Sequence, residues 1–262
     1  MTCVSLLTIL LSWNRPELLE QTINSYHKTI TCTFKLVVVD NGSDTETTHL
    51  LSELSQKFDF DVLYLEENIG GEAFNLILDR DYNYKYVHFS ENDLEYLPGW
   101  DEQIIKKLNL FHQIGQISLF SPVPQTEIGE IWEAKNAKLI SREGLSFYIT
   151  DQNVGTSSVV RKELIEQGLR WSNFESGQWR FPADGQFSGD VRRLGWYVAW
   201  NDRYLVTNWG HNIQEFEKNL EYYLSNYKAK TWFSIEGLKE RLLKNGYRLV
   251  EDGEKSKLIK ID

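Results

Sequence analysis

The apolar run Tyr86-Val87-His88-Phe89 ends in Ser90-Glu91-Asn92-Asp93-Leu94-Glu95, and Pro98-Gly99-Trp100 follows. A buried strand here would deliver three acidic side chains to its carboxyl end, the edge at which open α/β sheets bind ligands. Carboxylates at that edge suit a hard divalent cation and the phosphates it carries, which points to a nucleotide-dependent enzyme. Asp40 closes a second apolar run, Val37-Val38-Val39, where its carboxylate can accept from a uracil-like imide N–H. Asn68, Gly70 and Gly71 stand where the backbone would have to approach a nucleotide closely, which glycine permits. Arg15 offers a cation to phosphates. Asp184, in Phe181-Pro182-Ala183-Asp184-Gly185-Gln186, is a carboxylate able to take a proton from an attacking hydroxyl, and Asp190 is a reserve for the same task.

Each of these residues also has a plainer use. Asp-Asn-Gly at 40–42 is a common turn sequence, so Asp40 is open to a capping role. Asn68 to Gly71 reads equally as a strand-to-helix turn, Arg15 as a solvated loop cation, and Asp184 as a helix N-cap. The acidic triplet reads alternatively as a solvated loop.

Short apolar runs alternate with helical patterns to position these groups. Strands are expected over residues 4–11, 34–39, 61–65 and 85–89. Helices are expected over 16–26, with Asn14 as cap and Pro16 in the first turn, from the Asp40-Asn41-Gly42-Ser43-Asp44 turn to 56, and over 71–78. Repeated strand–helix–strand units imply a parallel sheet covered by helices on both faces. Beyond Trp100 a helix over 101–111 leads to a strand over 116–120, a loop containing Pro122 and Pro124, and short strands to about 158. Helices return over 161–167, 184–194, 213–226 and 233–244, and a strand over 203–207 precedes Asn208-Trp209-Gly210-His211. The charged tail 251–262 is expected to fray.

The 262 residues carry 28 basic and 38 acidic side chains, a net charge of −10, which disfavours a nonspecific nucleic-acid binder. An anionic ligand therefore needs local help from a metal or from a few placed cations. Two cysteines form neither a metal knuckle nor a disulfide framework, so a reducing compartment fits best. The apolar opening, residues 4–11, is too short to span a bilayer and has no basic leader. The expectation is a cytoplasmic protein with no transmembrane segment, association with a membrane surface remaining open. Six of the nine tryptophans lie between Trp171 and Trp232, a density that suits stacking on the apolar faces of sugar rings, although core packing competes for most of them. Trp171 and Trp179, in an irregular segment, are the acceptor candidates.

Four segments in order, Ser12-Trp13-Asn14-Arg15-Pro16, Val37 to Ser43, Asn68-Ile69-Gly70-Gly71-Glu72-Ala73-Phe74-Asn75, and Glu91-Asn92-Asp93 with Pro98-Gly99-Trp100, resemble the nucleotide-sugar half of a GT-A fold glycosyltransferase, most closely family 2. The resemblance implies a Rossmann-like, mostly parallel sheet flanked by helices, with a mixed acceptor-side region and C-terminal helices. It covers roughly residues 2–111 well and the rest loosely, and the expectation is one domain over 1–262, divided into a donor half (1–111), an acceptor half (112–212) and a helical extension (213–262). It implies transfer of a sugar from a nucleotide diphosphate donor, a uridine diphosphate sugar above others, to a saccharide or lipid-linked saccharide hydroxyl, as in polysaccharide biosynthesis, with inversion. Ser12, Asn14, Arg15, Asp40, Asn68, Gly70, Gly71, Asn75, Glu91, Asn92 and Asp93 would bind the donor. Asp93 falls on the family's metal-binding position for Mn2+ or Mg2+, Glu91 on the first acidic position, and His211 on a late histidine that completes the metal shell in several such enzymes. Asp184 falls on the base. Glutamate at 91, alanine at 183 and aspartate at 190 depart from the family pattern. A sugar nucleotidyltransferase and a non-catalytic carbohydrate- or nucleotide-binding module are the rival readings.

Overall fold

A computed structural model describes residues 4–122, 137–172, 183–229, 235–252 and 255–261. The first strand, β1 (Val4–Ser12), is an almost unbroken apolar run, as a central parallel strand buried on both faces requires. Helix α1 (Pro16–Thr29) places Pro16 in its first turn, where a missing N–H costs nothing, and turns Leu18, Leu19, Thr22, Ile23 and Tyr26 toward the sheet. Strand β2 (Phe34–Asp40) follows. Helix α2 (Thr45–Phe58) is capped by Asp44, which accepts from Thr47 N at 2.8 Å, and β3 (Asp61–Tyr64) completes the outer edge. A 3-10 turn, Gly70–Phe74, and the short α3 (Asn75–Leu78) replace the single helix expected over 71–78. Then come β4 (Tyr84–Glu91), β5 (Leu94–Tyr96), α4 (Trp100–Leu110) and β6 (Ile114–Ser118).

In the second half β7 (Lys138–Arg142) and β8 (Leu145–Thr150) form a hairpin whose turn residues Glu143 and Gly144 both have positive φ, a two-residue turn that suits the sheet twist. They are followed by β9 (Ser158–Arg161), α5 (Lys162–Glu166), α6 (Ala183–Arg193), β10 (Tyr197–Asn201) and β11 (Val206–Asn208). A 3-10 turn, Trp209–His211, leads to α7 (Ile213–Lys218), α8 (Leu220–Ala229), α9 (Ile235–Lys244), β12 (Tyr247–Asp252) and β13 (Lys255–Lys260).

The main sheet has nine strands in the order β3-β2-β1-β4-β9-β6-β10-β8-β7. Its first four strands are parallel and carry the donor half, while β9 runs antiparallel between β4 and β6, so the acceptor half is mixed. Apolar layers cover both faces, one around Tyr26, Tyr96 and Trp100, the other around Phe74, Phe89, Trp171 and Phe187. A third core, with Phe216, Leu220, Tyr223, Leu238 and Leu242, belongs to the C-terminal elements.

Three local expectations are corrected. Asn14 does not cap α1: Asn14 and Arg15 both adopt left-handed backbone, and the Asn14 side chain accepts from Asp44 N at 2.9 Å instead. The helix expected over 213–226 breaks at Asn219, which leaves helical geometry between α7 and α8. The tail pairs as the β12–β13 hairpin, with Leu249 opposite Leu258, rather than fraying as one charged run.

Candidate active site

The sheet registers gather the predicted donor residues at one edge. Asp40 pairs with Ser12 across β2–β1, and Leu11 pairs with Glu91 across β1–β4. Asp40 and Glu91 therefore stand two strands apart, about 10 Å across the carboxyl edge. Asp40 is 1% exposed: its Oδ2 accepts from Ser43 N at 3.2 Å, and its Oδ1 is buried without a hydrogen-bond partner among the described residues. Burial raises its pKa, and the Ser43 contacts oppose that rise. Ser12 Oγ is likewise buried and unpartnered among the described residues.

Asn41 organises the neighbouring loop. Its Nδ2 donates to Asn68 Oδ1 at 2.8 Å, its Oδ1 accepts from Ile69 N at 2.9 Å, and Asn68 Oδ1 also accepts from Gly70 N at 2.8 Å. Gly70 takes φ 62° and opens the 3-10 turn in which Gly71 also lies, so the chain bends against the strand end. Asn41, part of the Asp-Asn-Gly turn, is a site residue that the sequence reading misses. Its signal was its place directly after the strand-end aspartate.

Arg15 is not a solvated loop cation. Its side chain is 10% exposed and Asp93's is 14%; Nη1 meets Asp93 Oδ2 at 3.0 Å and Nη2 donates to Asn92 Oδ1 at 2.6 Å. Asn92 in turn donates to Asn14 O at 2.8 Å, which braces the left-handed pair. Two successive non-glycine residues in this conformation cost on the order of 1–2 kcal/mol each, and the bracing retains a strain that aims the guanidinium. Burial alone would lower the Arg15 pKa; Asp93, with Tyr222 and Tyr223, outweighs it and keeps the group charged. Glu91 ends β4 and acts electrostatically on Tyr222 together with Asp93 and Glu215.

β5 pairs antiparallel with β11, and Trp209 N donates to Asp93 O at 2.9 Å. This delivers the 209–211 turn to Asp93: a methyl group on Gly210 would collide with Asp93 Oδ2 and approach Arg15 Nη1 to 3.2 Å. The His211 backbone closes that turn, and its side chain lies outside the described residues.

A divalent cation fits this strand end through one atom. Asp93 Oδ1 is buried with no hydrogen-bond partner among the described residues, and the carboxyl groups of Asp93, Glu91 and Glu215 act on Tyr222 together with the single cation Arg15, so acidic groups outnumber cations there. Such a field opposes a diphosphate unless a cation enters with it. No group of three His, Cys, Asp or Glu side chains able to close a metal shell is gathered among the described residues, so Asp93 would need further ligands from His211, water or the diphosphate itself.

On the acceptor side, Asp184 stands in the first turn of α6, where its Oδ2 accepts from Asn153 Nδ2 and its Oδ1 from Gly185 N, both at 2.9 Å. Asn153 also accepts from Gly155 N at 2.7 Å, and this loop leads into β9, whose Ser158 pairs with Phe89 of β4. Asp184 thereby reaches the same sheet edge as the acidic triplet. Asp190 lies about 120° further round the helix. It is held by Gln186 Nε2 at 3.0 Å and by an ion pair with Arg193. The two aspartates do not converge.

Two assignments are corrected. Trp171 is 3% exposed, stacked on Phe187 with ring centroids 4.2 Å apart, and is a core ring rather than a sugar platform. Asn75 spends its amide on the Trp171 backbone, donating to O at 2.7 Å and accepting from N at 2.9 Å, so it ties the two segments together instead of presenting itself to a donor. Trp179 lies outside the described residues. No helix among the described residues is long and apolar enough to cross a membrane.

Solved structures share this architecture. S. aureus TarS, residues 1–349, aligns with a TM-score of 0.57 at 15% identity over 92% of this chain and 72% of TarS. Its complex with UDP-GlcNAc aligns at 0.57 and 16% over 77% of this chain and 57% of that one. The mannosyltransferase PcManGT from Pyrobaculum calidifontis, in complex with GDP-Man and Mn2+, aligns at 0.55 and 14% over 93% and 64%. These likenesses show a shared GT-A fold. Among curated proteins none matches the chain. The sequence pattern of Glycosyl transferase family 2 matches residues 8–168, more than half of the 262 residues and the whole donor half from within β1 onward, and the chain belongs to glycosyltransferase family 2.

Proposed function

We propose that the protein transfers a sugar from a uridine diphosphate sugar to a hydroxyl of a saccharide or lipid-linked saccharide, with inversion at the anomeric carbon. The observation that carries this reading is the Oδ1 of Asp40, buried without a hydrogen-bond partner among the described residues, on the same strand-end row as Ser12 and two strands from Glu91. With Oδ2 already occupied by Ser43 N, one oxygen remains to accept, which suits the single imide N–H of uracil better than the two adjacent N–H groups of guanine. The neighbouring structures, named as complexes with UDP-GlcNAc, UDP and GDP-Man, support a nucleotide sugar.

Arg15 would face the diphosphate with a charge fixed by Asp93 and Asn92. Asp93 Oδ1, with Glu91 and His211 near it in the chain path, would hold Mn2+ or Mg2+, and such an ion supplies Lewis-acid charge to the leaving diphosphate. Asp184 would take the proton of the acceptor hydroxyl as its oxygen bonds to the anomeric carbon, while the bond from that carbon to the diphosphate oxygen breaks and the diphosphate departs. Calorimetric titration of UDP and GDP, each with Mn2+, into wild type and Asp40→Ala tests the donor assignment. UDP should bind the more tightly and lose affinity in the variant; equal GDP binding, or an unaffected variant, removes the uracil reading. Donor binding without any transfer would favour the non-catalytic module.

A further inference from the structure

Arg15 is buried from the C-terminal side by residues that lie beyond the family match at 8–168. Its guanidinium carbon sits 4.9 Å from the Tyr222 ring centroid, and its Nη1 donates to Tyr223 Oη at 3.4 Å. Tyr223 Oη donates onward to Glu215 Oε1 at 3.4 Å, and Glu215 also accepts from Asn219 Nδ2 at 2.9 Å. Tyr222 packs on Trp13 with ring centroids 5.2 Å apart, and Lys218 of α7 forms an ion pair with Glu17 of α1. The C-terminal elements thus touch the donor half at the β1–α1 loop that carries the strained Asn14–Arg15 pair.

Resting on the donor reading above, we propose that Tyr222, Tyr223 and Glu215 are positioning residues of the diphosphate subsite. They act through Arg15, holding its guanidinium on one side while Asp93 and Asn92 hold it on the other. An arginine carries several rotatable bonds, and a fork fixed in advance loses less freedom when it meets a phosphate. The ring face and the hydroxyl supply that fixation from a segment with its own apolar core. The α7–α8 segment is on this account part of the donor site and not only an appendage.

The consequence is specific to the diphosphate. Tyr222→Leu keeps bulk but removes the aromatic face, and Tyr223→Phe removes one hydroxyl. In each, UDP affinity in the presence of Mn2+ should fall roughly 3- to 10-fold. Uridine affinity, followed by NMR titration, should stay at the wild-type value, because the nucleoside never reaches Arg15. Asp40→Ala is the contrasting control and should weaken both ligands. UDP binding unchanged or tightened in both tyrosine variants overturns the proposal, as does an equal loss of UDP and uridine, which would mark the cluster as mere support for the fold. Wild-type protein that binds neither ligand would overturn the donor reading itself.

Discussion

Asp184 and Asp93 carry different tasks, and substitution should separate them. Asp184→Asn keeps size and one of the two accepted hydrogen bonds but removes basicity, so the transfer rate should fall by roughly 10² to 10⁴ while UDP affinity holds. Mutations that lower kcat and kcat/KM together have removed something needed only in the transition state. Transfer at the wild-type rate in Asp184→Asn would dismiss it as base, and loss of transfer in Asp190→Asn alone would move the role there. Asp93→Ala should behave in the opposite sense, abolishing any Mn2+ dependence of UDP binding in calorimetry. It also leaves Arg15 buried without its ion-pair partner, so a stability loss of about 3–5 kcal/mol is expected with it. At this scale the sequence exposed the acidic triplet, Asp40 and Asp184 because each directly follows a recognisable strand or opens a helix. The partners of Arg15 were hidden, since Tyr223 lies 208 positions away and nothing local connects the two.

Elements decide how closely the side chains approach, and two of them can be tested by a single methyl or a single amide. Gly210 packs against the Asp93 carboxylate, so Gly210→Ala must push Asp93 or the 209–211 turn aside and open the Arg15–Asp93 pair. UDP affinity should fall at least about 10-fold, the order expected for loss of one charge-assisted contact. An unchanged affinity in calorimetry would mean that the turn gives way without disturbing the pair. Asn41→Ala strips the clasp on residues 68–70 and leaves Ile69 N without its acceptor, with an expected loss of about 1–3 kcal/mol in urea unfolding. The central strands were legible because continuous apolar runs have few other homes. The β12–β13 hairpin was not, because its alternation of Arg248, Leu249, Val250 with Lys257, Leu258, Ile259 is a half-buried ribbon whose charged residues dominate the composition. The left-handed Asn14–Arg15 pair escaped for another reason: Asn before Arg-Pro is a good cap sequence, and only the tertiary contacts to Ser43, Asp44 and Asn92 override it.

At the scale of the whole molecule, the donor edge rests on a buried polar layer that sets a pH limit on the fold. His88, fully buried on β4 three residues before Glu91, has Thr8 Oγ1 3.4 Å from its Nδ1, and burial pulls its pKa down from 6.5 to about 3. His27, stacked on Phe58 at 4.4 Å between ring centroids, is lowered to about 4 by the same cause. Between these values and pH 6.5 the unfolded chain takes protons that the native chain refuses, so stability must fall as pH falls through that window. His88 alone should cost about 1.4 kcal/mol between neutral pH and pH 5.5, the equivalent of one pKa unit. Asp40 and Glu215 work in the other direction, since burial raises both and the native state then takes their protons first, which offsets part of the loss at the acidic end. Urea unfolding at pH 7.5 and 5.5 should therefore show a lower midpoint at the acidic value. His88→Gln is expected to be less stable throughout, having lost a fitted ring against Tyr96 and Trp100, but with a smaller difference between the two pH values. A pH dependence that persists undiminished in both His88→Gln and His27→Gln would remove the histidines as its source and shift the explanation to carboxylates.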